Sequence, residues 1–194
     1  MDSKNVTTGK PRVGGAVFVA PVGTVLPQNA TDQLDEKFKD LGYCSDDGIT
    51  NSNTPESDSI KAWGGDVVLN VQTGKEDTFT LKLIEALNIN VLKTVYKDEN
   101  VSGNLDEGIK IKVNAKEQEP SAWVIDMLLR GNILKRIVIP EASITEIGEI
   151  KYGDEDVIGY ELTLGATPDE TANTHYEYVK RSNTEDAESG QAVG

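Results

Sequence analysis

In 194 residues the chain has one cysteine, Cys44, and one histidine, His175. A lone thiol excludes an intrachain disulfide and any zinc site built on cysteines. A lone imidazole excludes a multi-histidine metal centre. No run of 18 apolar residues is present, so nothing reads as a membrane-spanning helix. The opening MDSKNVTTGKPRVGG is polar and lacks the apolar stretch of a secretory signal, which points to a cytosol-like compartment. The sequons at Asn5, Asn29 and Asn100 are therefore not expected to carry glycans. Basic residues are scarce as well: 19 Lys and Arg face 33 Asp and Glu, for a net charge of −14. That balance argues against ordinary nucleic-acid binding.

What is present favours strands. Apolar residues make up 37%, below the usual globular share, while Asn, Asp, Thr and Gly are common. The length suits one domain that buries roughly 70% of its unfolded surface. The acid is clustered: residues 141–161 hold seven carboxylates against Lys151, and residues 98–108 hold four with no base. Most such charge is a solvated surface; an acidic field can also repel another polyanion.

Residues 1–12 read as a mobile arm, residues 13–180 as one β domain, and residues 181–194 as a disordered tail of little apolar content. VGGAVFVAP (13–21) reads as a strand ended by Pro21. Leu34, Phe38 and Leu41, spaced i, i+4 and i+7, predict a short helix capped by Asp32 and ended by Gly42. Residues 46–59 read as turn-rich, with Asp47-Gly48 as a bend. Val67, Leu69 and Val71, and then Phe79, Leu81 and Leu83, alternate as two strands joined by a hairpin turn around Gly74. Residues 88–97 predict a helix with Asn88 as N-cap and Val91, Leu92, Val95 and Tyr96 on its apolar face. Ile109, Ile111 and Val113 alternate with lysines as a half-buried strand. SAWVIDMLL (121–129) is a buried strand, and Arg130-Gly131-Asn132 turns it into the antiparallel ILKRIVIP. SITEIGEIKYG and VIGYELTLGA form a further pair, with Asp154-Glu155-Asp156 at the bend, and THYEYVKR is a last strand. The expected architecture is a mainly β, antiparallel sandwich or barrel of eight or nine strands, with a helix on one flank.

Chemistry-bearing motifs fail on inspection. Gly74-Lys75 is followed by Glu76, so it is no phosphate-binding loop. VGGA (13–16) opens a strand and lacks the dinucleotide pattern. Cys44 has no recognisable base beside it and reads as a small core residue, and His175 reads as a surface strand residue. GDEDV (153–157) lacks the spaced ligands and central glycine of a calcium loop and reads as a charged hairpin tip. Trp63 and Trp123 read as large core residues, or else as a sugar-stacking platform; a carbohydrate-binding β-sandwich is therefore the alternative to a structural, self-assembling protein. In SDSIKAWGGDVVLNV (57–71), Gly64-Gly65 permits a strand junction, with Trp63 anchoring it to the core or to a neighbouring subunit. No catalytic, cofactor-binding or metal-binding residues are assigned.

Five segments, in order from about residue 4 to residue 181, carry a resemblance: KPRVGGAVFVAP, LDEKFKDLGYCSDDGITNSN, SIKAWGGDVV, FTLKLIEALNINVLKTVY and HYEYVKR. Together they resemble the major tail protein, or tail tube protein, of long non-contractile-tailed phages. A branched aliphatic residue is usual in that family where Cys44 stands, and a buried thiol packs much like a small hydrophobe. The resemblance implies a β-sandwich with a flanking helix, a virion protein assembled in the bacterial host cytoplasm, and hexameric rings stacked into a hollow tube. The tape measure protein would fill the tube, the tail terminator and baseplate or distal tail proteins would adjoin it, and genomic DNA would pass through without specific binding. The resemblance brings no catalytic residues and no cofactor. The acidic excess suits such a conduit, because a basic wall would hold duplex DNA, and a predominantly negative lumen is expected.

Overall fold

A computed structural model describes residues 1–12 and 15–182. Among them are eleven strands and one α-helix: β1 (Gly9–Pro11), β2 (Val17–Pro21), β3 (Lys39–Asp40), β4 (Cys44–Lys61), β5 (Val67–Leu83), α1 (Ile89–Tyr96), β6 (Val101–Asn104), β7 (Gly108–Ile111), β8 (Ser121–Leu129), β9 (Ile133–Ile147), β10 (Tyr160–Ala166) and β11 (Tyr176–Arg181). Every pairing is antiparallel. The main sheet runs β3-β2-β8-β9-β10-β5-β4. β1 joins β8 beyond the end of β2, and β11 joins the first half of β9 while β10 takes its second half. β6 and β7 form a separate ribbon. The expectation of a mainly β antiparallel fold with one flanking helix holds.

β8 and β9 read as continuously apolar because both of their faces are covered. Trp123, Ile125, Ile137 and Ile139 point into the main core with Phe79, Leu81 and Leu83 of β5, Leu162 and Leu164 of β10, and the apolar face of α1. Ala122, Val124 and Val138 point the other way, under Phe38, Leu26 and Leu34 from the 22–38 segment. That segment holds no helix. Asp32 accepts from Gln28 N at 2.7 Å and Asp35 from Lys37 N at 2.9 Å, so the side chains close local turns instead. Phe38 serves one face of the sheet and Leu41 the other, because they flank the extended edge strand β3 and side chains three apart along a strand point to opposite faces. A helix would keep both on one side.

One buried ion pair ties this cover down. Arg136 donates from Nε to Asp126 Oδ1 at 2.6 Å and from Nη2 to Oδ2 at 2.7 Å, across paired positions of β9 and β8. Its Nη1 reaches the carbonyls of Asn29 (3.2 Å) and Asp32 (2.7 Å). The two side chains are 2% and 5% exposed. The planar guanidinium thus satisfies a carboxylate and two loop carbonyls at once.

α1 has eight residues, too few to be stable alone. Burial of Val91, Leu92 and Val95 holds it, as the sequence predicts. Asn88 caps its start by accepting from Asn90 N at 2.9 Å. At its end, Gln118 Nε2 donates to the carbonyls of Thr94 (2.9 Å) and Val95 (3.0 Å).

Three local readings are overturned. Residues 46–59, read as turn-rich, lie within one strand of 18 residues, Cys44–Lys61, with the Asp47-Gly48 region absorbed as a register irregularity between Cys44 and Ile49. Gly74 is no hairpin turn. Val67–Leu83 is one strand, and the glycine lies opposite Glu56 beside a register shift, where a strand glycine commonly marks a bulge. Gly9–Pro11, within the segment read as a mobile arm, adds to β8. Val13 and Gly14 of the VGGA stretch, and residues 183–194 of the expected tail, lie outside the described residues.

Arg136→Met is expected to cost about 3–5 kcal/mol, because it leaves the buried Asp126 with only a long 3.5 Å contact to Arg12. Adding Asp126→Leu should recover most of that loss. Urea unfolding of the two variants against the parent checks both expectations.

Candidate functional site

β5 lives in two environments. From Asp77 to Leu83 its residues alternate buried and half-buried; from Val67 to Glu76 all but Gly74 are exposed. β4 is exposed throughout the matching stretch, and the two strands stay paired from Asn53↔Asp77 to Lys61↔Val67. About ten residues of ladder therefore stand clear of the body, roughly 33 Å at a strand's rise per residue. Ala62–Asp66 closes the tip: Ala62 N donates to Asp66 O at 2.8 Å, and Gly65 N to Ala62 O at 3.0 Å. Gly64 and Gly65 take φ of 116° and 98°, which side chains resist.

This hairpin is not polar throughout. Ile60 lies opposite Leu69, and Ile60, Val67, Val68, Leu69 and Val71 are 40–61% exposed. Trp63 is fully exposed at the tip. Large apolar side chains gathered this densely on one exposed projection mark an interaction surface.

The root of the hairpin is locked by a buried polar cluster. Asp77 is the first buried residue of β5, at 3% exposure. Its Oδ1 accepts from Asn51 Nδ2 of β4 at 2.7 Å. Its Oδ2 accepts from the Thr174 hydroxyl and lies 2.6 Å from His175 Nδ1. The His175 ring meets Phe79 edge-on at 5.2 Å. Burial pushes the Asp77 carboxyl up, but the hydrogen bonds from Thr174, Asn51 and His175 and the adjacent imidazole outweigh it, so the group sits below the usual aspartate value.

On the opposite part of the sheet a groove of about 1000 Å³ opens between α1 and residues 116–121. Val19–Pro21, Trp123, Ala142 and Ile144 form its floor. Trp123 is 1% exposed, and its Nε1 finds no acceptor among the described residues. Lys97, at φ 78°, holds its ammonium against the carbonyls of Lys116 and Glu117 and so fixes one wall.

The structure separates the residues singled out from the sequence. Trp123 is a core residue, whereas Trp63 is not, so the pair makes no two-ringed sugar platform. Cys44 is half-buried at the edge of the main core; burial, then the charges of Asp40 and Glu85, push its thiol up to about 11, which leaves it a poor nucleophile. His175 is not a surface strand residue: it precedes β11, and its side chain is 15% exposed. Gly74-Lys75 lies in the projecting ladder. Residues 153–157 sit in the long β9–β10 connection, where Lys151 pairs with Asp156. Among the described residues no cluster of three or more metal-ligating side chains occurs. No helix among the described residues is long and apolar enough to cross a membrane. The strand junction read at Gly64-Gly65 is the tip of this hairpin; what local sequence reading missed is the length of its two strands and the polar cluster at its root. The signal that was available is VVLNV, which is apolar on both strand faces and lies opposite DSIK.

Residues 5–189, nearly the whole chain, match the family model described as phage tail tube protein. No curated protein matches.

Asp77→Asn is expected to cost about 1–3 kcal/mol near neutral pH, since one buried acceptor loses its charge. A folded-state value held low contributes stability above the unfolded value and loses it as pH falls through the folded one. The gap between parent and variant in urea unfolding should therefore narrow below about pH 4. A gap that persists unchanged to pH 2 would show that charge is not what Asp77 contributes.

Proposed function

The chain belongs to the phage tail tube protein family, and on that premise we propose that its copies close into hexameric rings which stack into the tail tube and deliver genomic DNA into the host. The observation that carries this reading is the projecting β4–β5 hairpin, whose apolar side chains find no cover among the described residues of their own chain. The role is structural. The family reading makes it a virion tail component with other copies of itself as principal partner.

Such assembly needs head-to-tail contacts. A heterologous interface that closes gives a ring, and one that does not close gives a filament. The main sheet supports this by leaving β3 and β4 as its edges, where unpaired backbone groups accept a neighbour's strand. In the assembled tail the tape measure protein occupies the tube before DNA does, and the tail terminator and distal tail or baseplate proteins meet its ends. Assembly takes place in the bacterial host cytoplasm. Catalysis has no part in this role.

The net charge of −14 also fits a conduit. Duplex DNA carries about one charge per 1.7 Å of axis, so a basic wall would retain it. A predominantly negative lumen lets it slide.

Two measurements test the reading. Purified protein imaged by electron microscopy is expected to form rings or hollow tubes. A variant with residues 55–75 replaced by Asn-Gly, between the paired Thr54 and Glu76, should stay folded and form none. Tubes from that variant would remove the hairpin from assembly. A reconstruction of the parent tube should show a lumen of negative potential, and a basic lumen would sink the conduit argument.

A further inference from the structure

Charge is unevenly placed along this chain, and the fold gathers it at two opposite ends. We propose that the basic end of the main sheet in one copy docks on the acidic β9–β10 connection of the next, and that this is the contact by which one ring stacks on another. The inference rests on the tube reading above and assigns a surface that the projecting hairpin does not use.

The basic end is assembled from three distant stretches. β1 pairs with β8 as Lys10↔Leu128, β8 with β9 as Leu128↔Leu134, and β9 with β11 as Leu134↔Lys180. The Arg130-Gly131-Asn132 turn and Arg181, opposite Ile133, lie further out. Lys10, Arg130, Lys180 and Arg181 are all exposed. The ion pairs at this end engage Arg12, Lys135 and Arg136 instead, so those four cations meet no carboxylate among the described residues. In a chain of net charge −14, they make a local field of the opposite sign.

The acidic end lies at the other terminus of β9. Residues 146–161 hold Glu146, Glu149, Asp154, Glu155, Asp156 and Glu161, and the one base, Lys151, pairs with Asp156. Residues 151–157 are exposed without a break. The acidic stretch after α1 is better matched, since Asp98 pairs with Lys93 and Glu99 with Lys116. β9 runs 15 residues, roughly 45 Å of strand, between the two charged ends. Opposite ends of one strand cannot meet within a chain. A contact between them is heterologous and propagates along the strand.

Register decides which acidic element a neighbour presents. Thr78, Gly165 and Ser143 share one row and Leu81, Leu162 and Ile147 another, so β5 and β9 run the same way. The hairpin, although acidic too, therefore leaves the sheet towards the basic end. A copy stacked there in the same orientation presents its other end, which is the β9–β10 connection. Apolar groups flank both patches. Val179 is 60% exposed beside the cations, and Tyr152 and Val157 are 71% and 64% exposed beside the carboxylates. Charge sets the register of the contact, and these side chains supply apolar area to bury.

Charge exchange tests the contact. Arg130→Glu with Arg181→Glu reverses the basic end, and Asp154→Lys with Glu155→Lys reverses the acidic one. All four positions are exposed, so urea unfolding should not move. Each pair alone is expected to raise the protein concentration needed for tubes about tenfold or more, with rings or free subunits left in electron micrographs. All four substitutions in one chain should restore tubes. The lysine pair separates docking from overall repulsion. It makes the net −14 less negative, so repulsion alone would let it assemble better than the parent. Lysine-pair protein that forms tubes as readily as the parent overturns the proposal and passes the basic end to another acidic stretch, residues 183–194 first among them. A fourfold variant that recovers no tubes overturns it as well. Either result leaves the tube reading standing, whereas parent protein that forms neither rings nor tubes overturns both.

Discussion

The whole arrangement turns on Asp77. It is the residue at which β5 passes from core to water, and a buried carboxylate there must be matched completely or it opens the fold. Its partners come from three places: Asn51 on β4, Thr174 and His175 at the entry to β11, and the ladder of β5 itself. Each oxygen therefore clamps a different piece of chain. The consequence is mechanical. Below Asp77 the two strands are part of a packed sheet, and above it they are held only by each other. A rigid root and an uncovered shaft make a projecting arm; without the clamp the same residues would be a loose loop.

The body supplies the counterweight. β8 and β9 are covered on both faces, and the 22–38 segment that covers the second face is itself anchored by Arg136. That cover leaves the α1 side of the same strands free to shape a groove. α1 is short and survives by burial and by borrowed partners, Asn88 at its start and Gln118 at its end. Gln118 belongs to the segment that forms the opposite wall, so the helix and the wall are fixed in one step. The clamp at Asp77 and the pair at Arg136 thus do equivalent jobs at the two sides of the sheet.

Much of this was legible in the sequence where local patterns and tertiary contacts agree. The amphipathic face of α1, the buried run at β8, the Arg130-Gly131-Asn132 turn and the strand Tyr176–Arg181 all came from spacing alone. The failures share a cause. Asp47-Gly48 and Gly74 are local turn signals, but each sits in a ladder whose partner is distant enough that pairing overrides the local preference, and bulges absorb the misfit. Leu34, Phe38 and Leu41 have helical spacing, yet they serve opposite faces of a sheet. The Asp77–His175 contact joins residues 98 positions apart, and no local pattern announces it. Trp63 was read as an anchor to the core or to a neighbour, and its exposure excludes the core.

On the proposed reading, the energetics of the arm explain why it is apolar but not more so. Fully burying a large apolar side chain contributes about 1.5–3 kcal/mol. Six such residues, most already about half covered, offer roughly 5–10 kcal/mol on docking. Association itself costs about 4–15 kcal/mol in lost freedom, and copies at −14 add repulsion. A single docked arm is therefore near break-even. A subunit entering a closed ring both donates an arm and receives one, and gains from two contacts while losing its freedom once. That difference makes assembly cooperative, with isolated pairs scarce and complete rings stable. A more apolar arm would join copies indiscriminately, and a more polar one would not hold a ring.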